Sequence, residues 1–159
     1  MDRKEQAMEY FLKGYNCTQA IVLTFRDHLG LDETTALKIA SPFGGGMGRM
    51  REVCGAFSGI LLVLGYLYGY EDVKDPSLKK ELYGRVQDLA ERFKEVNCSH
   101  PLTEGSIVCR ELLGLQKGES SDSTPSERTP AYYAKRPCKE IIGNAAAILD
   151  AYLCNHPYK

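Results

Sequence analysis

The sequence predicts an all-α protein, a single-domain helical bundle of about five to seven helices. Three observations carry this. Apolar residues recur three and four apart, most plainly at Leu78, Leu82, Val86, Leu89 and Phe93. No strand-like alternation persists along any segment. Helix-starting and helix-ending residues fall between the periodic runs, as with Asp75 before Pro76 and Gly114 after "CRELL". A chain of 159 residues, 43% hydrophobic and 26% charged, can bury one sizeable core, so residues 1–159 are read as one domain.

Taken in order, the first helix runs from Arg3 to Lys13, with Ala7, Met8, Phe11 and Leu12 on one face and Gly14 at its end. Asn16 is placed to cap the second helix, with Gln19 as capping-box partner. That helix carries Ala20, Ile21, Phe25 and Leu29 and stops at Gly30, with His28 near its end, where the dipole favours a cation. Asp32 caps a third helix, which Pro42 closes. "GGGMGRM" is a loop. A fourth helix spans about Glu52 to Tyr68, with Ile60 to Tyr68 as its central core part. The fifth follows Asp75 and Pro76 and holds the apolar stripe. After a turn region from Asn97 to Gly105, "SIVCRELLG" is a short helix. Residues 116–136 are polar and rich in Ser, Thr and Pro, a long loop expected to be mobile. Pro137 opens a last helix carrying Ile141, Ile142, Ala145, Ile148 and Leu149.

Several function classes are set aside. The net charge is −1 and no basic block has interleaved aromatics, which argues against nucleic acid. The uncharged run Val53 to Tyr70 holds glycines and tyrosines and lacks basic flanks, so it reads as a buried helix and not as a membrane span. The charged, amphipathic N-terminus is unlike a secretory signal, and a cytoplasmic location is expected. No Ser-His-Asp pattern suggests a hydrolase, and His100 and His156 both precede proline.

Six cysteines are many for such a chain and point to redox, metal or catalytic use, since structural disulfides are disfavoured in a reducing compartment. Cys17, Cys54, Cys109 and Cys138 each fall at or near the start of an expected helix. Unpaired N–H groups and a partial positive charge there lower a thiol's pKa and favour the thiolate, the form that attacks disulfides and binds metals. No C-x-x-C pair occurs, so a shared site must be assembled by tertiary packing. Cys98 and Cys154 each stand two residues before a histidine, a weak metal signal.

The glycine run lacks the lysine and hydroxyl of a P-loop and has no strand before it. It is read as permissive backbone beside the cysteines. Arg49 and Arg51 flank it and are candidates to stabilise a thiolate or bind an anionic substrate. In "CGAFSG", Gly55 and Gly59 lie one turn apart and admit a close neighbour, which could bring a second cysteine to Cys54. These glycines and arginines form the candidate cofactor-binding or ligand-binding set.

"GYNCTQAI", "FGGGMGRMREVCGAFSG", "CRELLG" and "PCKEIIGNAAAIL" together resemble the C_GCAxxG_C_C family, whose bacterial and archaeal members carry a CGAxxG motif and four cysteines and are described as redox-active. The resemblance extends from Lys13 to Leu153 and places the family cysteines on Cys17, Cys54, Cys109 and Cys138. Cys98 and Cys154 are extras, and the segment before Cys109 is longer than usual. The resemblance implies redox activity and an association with transporter genes. A related region joined to split-Soret cytochromes is associated with an iron–sulfur centre.

Two functions are therefore expected of the same cysteines. In the first, Cys17, Cys54, Cys109 and Cys138 are catalytic thiols of a thiol–disulfide protein, with Cys54 as the attacking thiol supported by Arg49 or Arg51. In the alternative, the four are metal ligands holding an iron–sulfur cluster or zinc. A redox partner or a transporter component, and a homo-oligomer, fit either function.

Overall fold

Helix α2, Cys17–Thr24, is the element around which the others are arranged. Thr18 and every residue from Ala20 to Thr24 are buried, which a short helix achieves only when covered on all sides. The computed structural model describes residues 1–98, 105–115 and 122–158. Within them the remaining helices are α1 (Arg3–Leu12), α3 (Glu33–Ala40), α4 (Gly55–Tyr68), α5 (Pro76–Val96), α6 (Cys109–Leu113), α7 (Pro130–Lys135) and α8 (Cys138–Asn155). The all-α class holds, and no strand is present among the described residues. Helix α7 is an addition: the expected loop over 116–136 ends in a helix, started by the Thr129 side chain capping Tyr132 N and by Pro130 at the first position. Residues 116–121 of that stretch lie outside the described residues.

The punctuation read from the sequence is present. Asn16 and Gln19 form the reciprocal capping box of α2. Asp32 accepts from Thr35 N, and Asp75 accepts from Ser77 N ahead of Pro76. Helix α1 packs along α8, and α2 packs along α4. The core joins Phe11, Ile21, Phe25, Phe57, Ile60 and Leu64 to Phe93, Ile142 and Leu149. Helix α5 covers one side with only Leu89 and Phe93 fully buried, so its apolar stripe is a margin of the core.

Helix α4 departs from its expected form in two ways. It begins at Gly55, with Cys54 as the residue before its first turn. Its head is the buried part: every residue from Gly55 to Ile60 is buried, whereas Gly65 and Tyr66 further on are exposed. The expected core part is thus only partly core, because the small residues at the head let α2 come closest there. Among the described residues no helix is long and apolar enough to cross a membrane.

The close approach has a measurable cause. A Cβ at Gly59 would sit 2.7 Å from Ile21 Cβ and 3.2 Å from Thr18 O. Thr18 Oγ1 donates to Gly55 O at 2.8 Å, so the two backbones are also tied together in the interior. Gly59→Ala should force α2 and α4 apart and destabilise the protein by about 1–3 kcal/mol, the usual cost of overpacking. Urea unfolding monitored by far-UV circular dichroism measures this, and an unchanged midpoint would contradict the close approach.

Candidate functional site

Cysteine opens three helices and precedes a fourth. Cys17, Cys109 and Cys138 are the first residues of α2, α6 and α8, and Cys54 is the N-cap of α4. All four line one cavity of about 80 Å³. Its apolar walls include Phe11, Leu112, Ile141 and Ile142. Cys54 and Cys109 are each 8% exposed, and Cys17 and Cys138 are half-buried.

Three local devices bring these chain-distant residues together. The first is Gly55, where an added methyl group would collide with Cys17 Sγ and would lie 2.8 Å from Thr18 Oγ1. The second is a short antiparallel pairing centred on Val53 and Val108. There Cys54 N donates to Ile107 O at 2.7 Å, Cys109 N donates to Glu52 O, and Arg110 N donates to Arg51 O at 3.2 Å. The starts of α4 and α6 are thereby clamped side by side. The third is the glycine segment. Gly45, Gly46 and Gly48 have φ of 70°, 73° and 60°, and Met47, Arg49 and Arg51 follow at 65°, 66° and 61°. Such values are costly for residues with a Cβ and persist where the surroundings hold them. A Cβ at Gly46 would lie 2.6 Å from Cys109 Cβ, so this turn lets the loop cross directly over α6.

The left-handed turn sends Arg51 inward, where it is 4% exposed and its Nη1 lies 3.9 Å from Cys109 Sγ. Arg49 points the other way. It pairs with Asp122 at 3.3 Å and donates to Ser126 Oγ at 2.7 Å. Of the expected ligand-binding residues, Gly55 and Arg51 line the cavity. Arg49 lines an adjoining outer space of about 440 Å³, and Gly59 lies one turn deeper, against Ile21. Cys154 and Cys98 are exposed and do not line the cavity. His100 lies outside the described residues.

The expected lowering of thiol pKa at helix starts is overturned for three of the four cysteines. Burial pushes Cys54 well above its ordinary value, and the nearby Cys17 adds to this, while the N–H groups of Ala56 and Phe57 oppose it. Burial also raises Cys109, against which the hydrogen bond and charge of Arg51 pull downward. Cys138 rises to about 12 through burial, then through Cys17 and Cys109. Desolvation disfavours the thiolate more than a helix terminus favours it. Cys17 and Cys109 both add to the rise at Cys54 and at Cys138, and Cys17 adds to that at Cys109. Arg51, one of the two arginines expected to support Cys54, stands beside Cys109.

Sequence reasoning missed Arg128, Tyr132 and Arg136, which also line the cavity. They were hidden in a stretch read as loop. Thr129 before Pro130 is the same cap-plus-proline signal as Asp75 before Pro76 and marks the helix that carries Tyr132. Arg128 donates to the carbonyls of Phe11 and Tyr15, and Arg136 lies over the Tyr132 ring at 4.8 Å.

A helical scaffold that gathers cysteines from four helix starts into one pocket defines a class of cysteine-site protein. A family model described as "Putative redox-active protein (C_GCAxxG_C_C)" matches residues 15–152, and the chain belongs to that family. No curated protein and no solved structure matches it.

Two outcomes follow from the electrostatics. Arg51→Gln removes the charge that draws Cys109 downward, so its alkylation by iodoacetamide near neutral pH should slow by roughly three- to tenfold, since one pKa unit is tenfold in thiolate. Peptide mass spectrometry reads this site by site, and an unchanged Cys109 rate would remove Arg51 from the pocket's electrostatics. The second concerns alkaline stability. An unfolded chain releases the Cys138 proton near the ordinary 9.0, whereas the folded chain keeps it up to about 12. The unfolded state binds fewer protons in that window, so this contribution is complete below pH 9 and is lost as pH rises towards about 12. The slope is at most about 1.4 kcal/mol per pH unit for one thiol. Urea unfolding at several alkaline pH values should show a shallower decline in Cys138→Ala than in the wild type.

Proposed function

We propose that the pocket performs reversible thiol–disulfide chemistry, with Cys17, Cys54, Cys109 and Cys138 as its redox-active residues. The observation that carries this is the convergence of the four from separate helices on a single small cavity. Membership of a family described as redox-active agrees with it. Cys109 is the attacking thiol, because Arg51 stands at its sulfur. This takes the place of Cys54, the attacking thiol expected from the sequence. Cys17 is the resolving thiol: it is half-buried and lines the same cavity as Cys109.

The reaction balances as a two-electron exchange. The Cys109 thiolate attacks one sulfur of a partner disulfide, forms a mixed disulfide and releases a partner thiolate, which takes up the proton that Cys109 gave up. The Cys17 thiolate then attacks Cys109 Sγ, forms the Cys17–Cys109 disulfide and releases the second partner thiol. Two protein thiols are oxidised and one partner disulfide is reduced to two thiols. The reverse sequence returns the protein to its dithiol state.

Four thiols have the right donor chemistry for zinc or an iron–sulfur cluster. Among the described residues no group of three or more His, Cys, Asp or Glu is gathered so as to hold a single metal ion, which weighs against zinc and favours the thiol reading. Mild oxidation followed by acid quench and peptide mapping tests the thiol reading. A Cys17–Cys109 crosslink should form first and disappear with reductant. Oxidation confined to Cys98 and Cys154, or stoichiometric iron or zinc on these thiols after anaerobic purification, would overturn it.

A further inference from the structure

The thiol cavity adjoins the outer space already described. The two share Asn16, Gly45, Arg51, Arg128 and Tyr132 on their walls, so they lie side by side. Four guanidinium groups line them. Arg49 lines the outer part, Arg51 and Arg128 line both parts, and Arg136 lines the inner part. No Asp or Glu is among the described residues on either wall. Asp122 answers part of the charge of Arg49 from outside, at 3.3 Å. Arg128 and Arg136 take part in no ion pair among the described residues; their contacts are two backbone carbonyls and aromatic rings. Such an arrangement concentrates positive potential between low-dielectric walls.

Size limits what enters. The inner cavity of about 80 Å³ holds a handful of water-sized groups, enough for a disulfide and its flanking methylenes. The sulfurs are buried or half-buried, so a disulfide on the surface of a folded protein cannot lie against Cys109. The outer space, about 440 Å³, has room for the remainder of a small molecule.

We infer that the partner disulfide is a low-molecular-weight compound bearing carboxylates, its S–S bond entering the thiol pocket while its charged end is held by Arg49, Arg51 and Arg128. This rests on the thiol–disulfide reading and adds the substrate class to it. The guanidiniums offer paired N–H donors matched to a carboxylate. The covalent steps are those already given, with the small disulfide as oxidant and its two thiols as products.

The native, reduced protein provides the test. It is mixed separately with 3,3′-dithiodipropionate (anionic), bis(2-hydroxyethyl) disulfide (neutral) and cystamine (cationic), and oxidation of Cys17 and Cys109 is followed by quenched peptide mapping. Each rate is divided by that of the urea-unfolded chain with the same reagent, which removes intrinsic reactivity. At low ionic strength the anionic reagent should exceed the cationic one by about tenfold or more, and added salt should narrow the gap. Arg49→Gln and Arg128→Gln should each lower the anionic-to-neutral ratio several-fold. Normalised rates within about twofold for all three reagents, or a faster cystamine, would overturn the substrate class and leave the thiol chemistry standing. Failure of every reagent to oxidise Cys17 and Cys109 would overturn both.

Discussion

Helix α4 meets α2 across Gly55 and Gly59, where the absence of side chains lets the two backbones touch. Thr18 is tied to Gly55 O by an interior hydrogen bond, and Ile21 fills the space over Gly59. The same contact that completes the core therefore decides where Cys17 lies. A methyl group at Gly55 would occupy the place of its sulfur. Core packing and site assembly are one event here, because the cysteines sit on the first residues of the helices being packed.

The second pair of elements is joined by different means. The starts of α4 and α6 are clamped by backbone hydrogen bonds between residues 51–54 and 107–110, which need no particular side chains. The strained turn before them supplies the side-chain chemistry. Positive φ at Arg49 and Arg51 turns one arginine outward to Asp122 and the other inward to Cys109. Left-handed backbone at residues with a Cβ is costly, and such cost concentrates where a side chain must be aimed. Two arginines two positions apart thus stand one on the outer space and one beside Cys109.

Much of the fold was legible because it rests on local physics. The capping box at Asn16, the caps at Asp32 and Asp75, and the placement of four cysteines at helix starts come from short-range hydrogen bonding and turn chemistry. Small residues at Gly55 and Gly59 announced a close neighbour. What misled was reasoning about charge from one helix alone. A helix terminus stabilises a thiolate by a fixed local amount, but three of these thiols are also removed from water, and burial reverses the balance. Helix α7 was missed because the polar run before it outweighed the Thr129–Pro130 start signal.

The sequence by itself determined the all-α class, most helix boundaries, the family and the four cysteines at helix starts, since each depends on residues near one another in the chain. Tertiary structure alone decided that these cysteines share a cavity, that Arg51 stands beside Cys109, and that Arg128 and Arg136 stand on the same wall. Those facts depend on distances between segments up to a hundred residues and more apart, which close packing fixes and periodicity does not encode.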